Sequence, residues 1–434
     1  MDPPLLDSAS IELKRRPHDP TRKARRAVAY LRRLVRRTVS RFWPRDQSSA
    51  QLRGIVAHPL VKGLPRVSLA SQPPTDHPDR LPIARRLIRA YGLTKAAEVR
   101  ARLVKPQDDL WTQLIDAELE QLLRLLSSED AVALSKYLRD FGEHYTWFGG
   151  LTLSLDGFTQ HRDHSSIAAI YLDKLVCLAE SIGALSLENP EQSVNWGSNL
   201  YAGVDELLDA VERMIGIAVV PRVTAVPVTG IATRHGLLHY RHLNSLYAAL
   251  RIQSLVRVGS AACEYGGGLG LVAYYANKLG LPDYTLFDLP LTNVFSGHFL
   301  MNTLGADAVR LYGEEPQREA VKILPYWECA VEPADRYSLA LNQDSFPEID
   351  PDAVLEYFRQ IERTSVDYFL SINQEAQASM GTRRQNSVPN LLRGDSGFQR
   401  VYRMKYWLRE GYVEELYRLR RKSDGPPEGP RDRR

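Results

Sequence analysis

The spacing of apolar positions changes character once along the chain. From residue 81 to 253, apolar residues recur at three- and four-residue intervals, in stretches such as LPIARRLIRAYGL, DLWTQLIDAELEQLLRLL, SIAAIYLDKLVCLAESIGAL and VDELLDAVERMIGI. That period is helical, and Ser128-Glu129-Asp130 reads as a helix start with acids at the positive end of the dipole. From Leu255 onward, short apolar runs alternate with helical patterns. LVRVGSAACEY, DYTLFDL, AVKILPYW, RYSLALN and VDYFLSIN read as strands. Between them lie LVAYYANKLG, PLTNVFSGHFLMNTLG and DPDAVLEYFRQIERT, which read as helices. Strands separated by helices make βαβ units and a mostly parallel sheet. The expected architecture is an α/β domain over 254–417, preceded by a helical domain over 81–253.

The flanks differ from this body. Residues 1–21 have no periodicity and are expected to be disordered. Over 22–43, Ala24, Ala27, Val28, Leu31, Leu34, Val35, Thr38 and Phe42 share one helical face, and six arginines occupy the other. This basic amphipathic helix suits an anionic membrane surface. It suits equally a helix that docks its apolar face on the body. Six prolines mark 44–80 as a linker, and 418–434 reads as a disordered basic tail.

Charge sharpens the division. Residues 1–60 hold 14 Lys/Arg against 5 Asp/Glu, a balance of +9, so with +4 overall the remainder carries −5. No recognised nucleic-acid module accompanies the basic end, and no nucleic-acid partner is expected. No run is long and apolar enough to span a membrane, and no secretory signal pattern opens the chain. Cys177, Cys263 and Cys329 are too few and too widely spaced for a disulfide framework. A cytoplasmic location, peripheral at the inner membrane face if the basic helix anchors it, is the expectation.

The first strand of the α/β domain runs into Glu264-Tyr265-Gly266-Gly267-Gly268-Leu269-Gly270 and then directly into a helix. Glycines at a strand-to-helix turn adopt torsions closed to other residues and let a ligand approach the main chain. A dinucleotide fingerprint starting at Gly266 needs glycine at 271, where Leu stands. No G-K-[ST] follows, which excludes a phosphate loop of the nucleotide-triphosphatase kind. The spacing present is acidic-x-G-x-G-x-G. The second strand ends in Asp288, eighteen residues after Gly270, where a carboxylate can accept hydrogen bonds from both hydroxyls of a ribose. Asp288 could also cap the helix that Pro290 opens.

This combination resembles the Rossmann-like methyltransferase pattern and, more narrowly, a bacterial family of sugar O-methyltransferases. The shared features are Glu264 to Gly270 with Ala273-Tyr274-Tyr275, then Phe287-Asp288-Leu289-Pro290. Leu341-Asn342-Gln343-Asp344-Ser345-Phe346-Pro347-Glu348 follows, then Glu356-Tyr357-Phe358 and Ser371-Ile372-Asn373. The likeness covers roughly 235–375. The chain departs at Ile349, where the family usually has Met, and in the small residues of Gly259 to Cys263. The resemblance implies S-adenosylmethionine as cofactor. Gly266, Gly268 and Gly270 would pass its methionine and ribose parts, Glu264 would sit beneath the loop, Asp288 would take the ribose, and Leu289 would pack on adenine. Gln343 joins this set, and Tyr326 and Trp327 stand where they could stack near adenine or pack the core.

Methyl transfer to a hydroxyl needs an oxygen in line with the methyl carbon and a base to take its proton. Asp344, after the fourth strand, and His235 are the candidate catalytic residues; Glu348 could serve nearby or cap the next helix. Thr233-Arg-His235-Gly-Leu-Leu-His239-Tyr-Arg-His242 places three histidines within eight residues. His239, His242, Asn373 and Glu375 are the candidate acceptor contacts. No residues are assigned to a metal, although a divalent ion is not excluded. His161 and His164 read as a polar loop, and 375–395, with Arg383, Arg384 and Asn386, as a loop able to cover the site. The expected activity is transfer of a methyl group to a sugar hydroxyl in glycan or glycoconjugate biosynthesis. A small-molecule natural product as acceptor, or a non-catalytic cofactor-binding scaffold, stays open on sequence alone, as does the oligomeric state.

Overall fold

The computed structural model describes residues 65–75, 80–101, 118–143, 149–155, 163–189, 197–375, 383–394 and 397–420, with 115, 191, 377 and 379–380 as isolated positions. The expected disordered start, the basic amphipathic helix 22–43, most of the proposed linker, His161 and the tail beyond 420 lie outside the described residues.

In chain order the elements begin with strand β1 (Leu69–Gln72) and helices α1 (Arg80–Glu98), α2 (Glu120–Ser127), α3 (Ala131–Asp140), α4 (His164–Ser181) and α5 (Val204–Ile215). A hairpin follows, β2 (Val228–Thr233) and β3 (Gly236–Leu238), and then α6 (Tyr240–Leu255). The second half runs β4 (Ala262–Tyr265), α7 (Leu271–Lys278), β5 (Tyr284–Asp288), α8 (Pro290–Leu304), β6 (Val309–Leu311), β7 (Val321–Pro325) and β8 (Tyr337–Gln343). It continues with α9 (Pro351–Thr364), β9 (Ser365–Gln374), a two-residue pair β10 (Ser379–Met380) and β11 (Arg383–Arg384), the short α10 (Val388–Leu391), β12 (Phe398–Lys405) and β13 (Tyr412–Leu419).

The five strands and three helices expected after Leu255 all form. β6, β7, β5, β4, β8 and β9 are parallel, in that spatial order, and β13 joins β9 antiparallel with β12 outside it. The chain lays down β4, β5 and β7 in one direction, then returns to the other side of β4 with β8 and β9. The sheet is therefore doubly wound, with its switch point between β4 and β8. Ligands of such sheets bind beyond the carboxyl ends of the strands at that point. The fold is the expected Rossmann-like α/β one.

Alternate residues of the central strands feed two cores. Ala262, Leu286, Leu339, Leu341, Leu370 and Ile372 pack with Leu243, Leu246, Val272 and Phe299 of the covering helices. Cys263, Tyr265, Phe287, Ala340 and Phe369 face the other way, against Tyr357, Phe358 and Ile361 of α9. This is the two-residue period of strands buried on both faces. Ile83, Leu87, Leu172 and Leu175 of α1 and α4 belong to the first core. The helical region thus shares a hydrophobic core with the sheet.

Three features depart from the sequence reading. Residues 69–72, inside the expected linker, form β1, and β1, β2 and β3 make a small antiparallel sheet within a region read as helical. Such short strands leave too few alternations to register against the surrounding helical period. The β12–β13 hairpin carries Gln399, Arg400, Arg403 and Lys405, mostly exposed, so its outer strand lacks the apolar run by which the inner ones were recognised. The helix start at Asp130 does form; its side chain accepts from the Ala133 N–H at 2.9 Å. Among the described residues no helix is long and apolar enough to cross a membrane.

Candidate active site

β4 delivers the glycine loop to the switch point. The Gly266 N–H donates to the Phe287 carbonyl at 2.8 Å, tying the start of the loop to β5. Gly266 has φ +77°, and a Cβ there would lie 2.2 Å from Ser345 Oγ. Gly268 has φ +57°, and a Cβ would meet the Gly150 carbonyl oxygen at 2.7 Å. Both positions therefore exclude a side chain on torsion and on space. Gly270 is the N-cap of α7.

Asp288, at the end of β5, reaches back under this loop. Its Oδ2 accepts from the Gly268 N–H at 2.9 Å and its Oδ1 from the Leu289 N–H at 2.7 Å. Burial raises the Asp288 carboxyl to about 6, against hydrogen bonds from Gly268, Leu289 and Thr292 that lower it. α8 starts with Pro290 as expected, and Leu289 is its N-cap. Glu264 is 2% exposed and accepts from the Tyr284 hydroxyl at 3.1 Å. Desolvation pushes its carboxyl up to about 8, with the Asp288 charge adding to the effect.

The end of β8 closes the other side. Asn342 is fully buried; its Nδ2 donates to the Tyr265 carbonyl at 2.8 Å and to Ser345 Oγ at 2.6 Å. These bonds clamp the turn 343–345 against the end of β4. Asp344 sits in that turn with φ +76°, in the left-handed region that costs an L side chain energy and clusters at functional sites. Its carboxylate pairs with the guanidinium of Arg409, which lies 4.2 Å from the Tyr412 ring centroid. Glu348 does not cap α9. Asp350 does, accepting from the Asp352 N–H at 2.9 Å, and Glu348 lines the cleft. Asn386 donates to the Phe346 and Ile349 carbonyls at 3.1 and 2.7 Å, which fastens the segment after β11 beside this wall.

These elements enclose a cleft with two lobes that meet at Gly150, Gly266, Gly268, Gln343 and Asp344. One lobe has mostly aromatic and apolar walls, Phe287, Leu289, Tyr326, Ile349 and Tyr357, with Asp288 at its edge. The other is polar, with Arg241, Asn244, Ser245 and Glu264 around Gly267, Leu269 and Val272. Glu264, Gly266, Gly268, Asp288, Leu289, Gln343 and Asp344 are thus brought together, and Gly270 supports the loop from the helix side.

The histidines are not. His235 stands on the β2–β3 turn with its Nε2 3.5 Å from Asp209 Oδ1, and it lines neither lobe. His239 is the N-cap of α6. It and His242 exchange capping contacts with the backbone there, and both are 1% exposed. Burial lowers His242 to about 3 and His239 well below its ordinary value, so both rings are neutral at physiological pH. Their close spacing serves a helix start. Asn373 is 2% exposed and spends its amide on Asn342 Oδ1 at 2.9 Å and Ser371 Oγ at 2.9 Å. Glu375 pairs with Arg403 of β12. Neither of these two lines a lobe. His164 opens α4 and does not stand in a loop. Among the described residues no group of three or more His, Cys, Asp or Glu is arranged to hold a metal ion.

Gly150, Arg241, Asn244, Ser245, Tyr357 and Arg409 escaped the sequence reading as site residues. Gly149-Gly150 was a visible signal of close backbone approach. Arg241, Asn244 and Ser245 fall at i, i+3 and i+4 of a helix, a polar stripe of which Asn244 and Ser245 are buried. Nothing local marks Arg409.

No family model matches the chain, and no curated protein matches it. Solved structures do resemble it. Magnesium protoporphyrin IX methyltransferase from Synechocystis PCC 6803, with bound SAM, aligns over 41% of this chain and 77% of its own at 13% identity and a TM-score of 0.29. A SAM-dependent methyltransferase from Aquifex aeolicus aligns over 40% and 88% at 15% identity and a TM-score of 0.29. The glycopeptide N-methyltransferase MtfA complexed with sinefungin aligns over 41% and 94% at 11% identity and a TM-score of 0.32. The fold assignment rests on the strand order described above.

Proposed function

We propose that the chain is an S-adenosylmethionine-dependent O-methyltransferase whose acceptor is a sugar hydroxyl. The observation that carries the cofactor is Asp288. Its carboxylate ends the second parallel strand, is held at the glycine loop by the Gly268 N–H at 2.9 Å, and borders a lobe walled by Leu289, Tyr326 and Ile349. A carboxylate beside a flat apolar slot is the chemistry a nucleoside needs: acceptors for ribose hydroxyls, and dispersion surface for the base. The missing side chain at Gly268 lets the Gly150 carbonyl close over the loop, which fixes the loop's shape at the junction of the two lobes.

When bound, S-adenosylmethionine supplies a methyl group on a sulfonium. The residues present supply the rest. Gln343 and Asp344 line both lobes, so they stand where the acceptor oxygen must approach. Asp344 is the base: its carboxylate would take the proton of an acceptor hydroxyl positioned at the junction of the lobes. Arg409 holds that carboxylate in place, and the left-handed backbone at 344 aims it into the cleft. The sugar acceptor is supported by the motif likeness around Asn342 to Glu348.

Calorimetric titration with S-adenosylmethionine tests the cofactor. Asp288→Ala is expected to weaken binding by about tenfold or more, the value of hydrogen bonds to a charged acceptor; equal affinity in both proteins rejects the site. Asp344→Asn is expected to keep cofactor binding and to lower methyl transfer by about a hundredfold or more. Incubation with isotopically labelled cofactor and a panel of glycans, read by mass spectrometry, tests the acceptor. Label on non-sugar hydroxyls alone would replace the sugar assignment.

A further inference from the structure

We propose that Lys174 and Arg409 bind an oxyanion, phosphate or carboxylate, carried by the acceptor, so that the sugar methylated is an acidic one; this rests on the methyltransferase reading above. Asp344, the proposed base, has the Asp288 lobe on one side. On the other stands the β12–β13 hairpin. Tyr412 pairs with Gln374 at the end of β9, and β9 runs parallel to β8, so the hairpin's loop lies at the same sheet edge as Asp344. That loop carries Arg409, whose guanidinium pairs with Asp344. Helix α4 brings Lys174 to the same place from the helical region. Its Nζ lies 5.8 Å from the Tyr240 ring centroid, close enough to Arg409 for the two charges to repel. Segments far apart in the chain thus put two cations beside the base.

Of the two, Lys174 is the one without a partner. It is 7% exposed, and among the described residues its ammonium makes neither a hydrogen bond nor an ion pair; the Tyr240 ring is its one close contact of that kind. The acids nearby are engaged elsewhere or turned away. Asp344 pairs with Arg409, and Glu410 pairs with Lys405 at 3.3 Å. Asp173 is the adjacent residue of α4, and neighbours in a helix do not face each other. Burial lowers Lys174 to about 8; the Asp173 charge opposes this shift and the Arg409 charge adds to it. A buried charge without a partner is costly, and a second cation beside it adds to the cost. An oxyanion bound by both side chains removes both costs. It accepts from the three donors of the ammonium and from guanidinium N–H groups, in charge-assisted hydrogen bonds. A neutral sugar offers hydroxyls instead, which leave the repulsion between the cations in place.

The test uses the full chain saturated with S-adenosylhomocysteine, so that the acceptor side alone is open. Thermal melts are recorded with inorganic phosphate, glucuronate and glucose, the first two against chloride at equal ionic strength. Phosphate or glucuronate is expected to stabilise the wild type and glucose is not; the anion that does more tells whether the acceptor's charged group is a phosphate or a carboxylate. Lys174→Met is expected to need about tenfold or more anion for the same shift, the value of hydrogen bonds between charged groups. Lys174→Arg should keep most of the effect, and both variants should bind S-adenosylhomocysteine as the wild type does. In chloride alone Lys174→Met should melt no lower than the wild type, because the charge it removes has no partner. Four results overturn the oxyanion site and leave the methyltransferase reading standing: no stabilisation by either anion, equal stabilisation by glucose, an anion effect that survives Lys174→Met, or a Lys174→Met protein that melts below the wild type in chloride. If the wild-type chain does not bind S-adenosylhomocysteine, the methyltransferase reading itself fails.

Discussion

The Gly150 carbonyl accepts a hydrogen bond from the Leu269 N–H at 3.0 Å. It joins a one-turn helix at Gly149–Leu151, in the helical half of the chain, to the glycine loop of the sheet half. The same oxygen lies 2.7 Å from where a Cβ of Gly268 would stand. The loop is therefore shaped from above by Gly150 as well as from below by Asp288.

Gly268→Ala is expected to abolish measurable cofactor binding while the protein remains folded. The added methyl has no room against a backbone carbonyl, and an L residue at φ +57° costs about 1 kcal/mol more. Calorimetry together with the far-ultraviolet dichroism of the variant checks this. Undiminished affinity would show that Gly150 yields readily and does not define the loop.

A pH dependence follows from Glu264 and Asp288, raised to about 8 and about 6. An acid whose folded pKa lies above its unfolded value binds its proton more tightly in the native state. Its contribution is fully present below the unfolded value, 4.5 for Glu264, and is lost as pH rises through about 8. The ligand-free protein should therefore lose stability across that window. Glu264→Gln, which cannot ionise, is expected to melt above the wild type once pH exceeds about 8, and the gap should close below 4.5. Thermal melts at both ends decide; a gap independent of pH would mean that Glu264 does not titrate in this range.

Glu414 is fully buried on β13. It takes hydrogen bonds from the Tyr247 hydroxyl at 2.7 Å and Arg251 Nε at 3.0 Å, both on α6, and from the Tyr402 hydroxyl of β12. Arg251→Ala leaves this acid without its cation but with two hydroxyl donors. The expected cost is about 2–3 kcal/mol, below the range for a fully stranded buried charge. Urea unfolding measures it. Adding Glu414→Gln should recover part of the loss, since the uncompensated charge goes with it; a larger loss in the double variant would contradict this account.

Much of the sheet and one wall of the site were legible in the sequence because both are local. A strand buried on two faces shows as a continuous apolar run, and a turn that requires positive φ beside a neighbouring backbone shows as glycine. Glu264, the glycines, Asp288 and Asp344 all follow directly from the ends of β4, β5 and β8, so their spacing along the chain predicted that they would converge. The histidines misled for the opposite reason. Three within eight residues suggest a site, yet burial depends on what packs over them, and Tyr171 and Tyr240 lie against the His239 ring.

What the tertiary structure alone decided is the other half of the cleft. Gly150, Arg241, Asn244 and Arg409 come from a turn, a helix and a hairpin that no local pattern connects to the glycine loop. The placement of Gly150, Arg241 and Asn244 depends on how the helical region folds down on the sheet, and that is set by the core the two share; Arg409 is brought in by the hairpin that pairs on β9. Periodicity along a chain reports which face of an element is buried. It does not report what that face is buried against, and here the partner surface supplies one wall of the polar lobe and the carbonyl that makes Gly268 necessary.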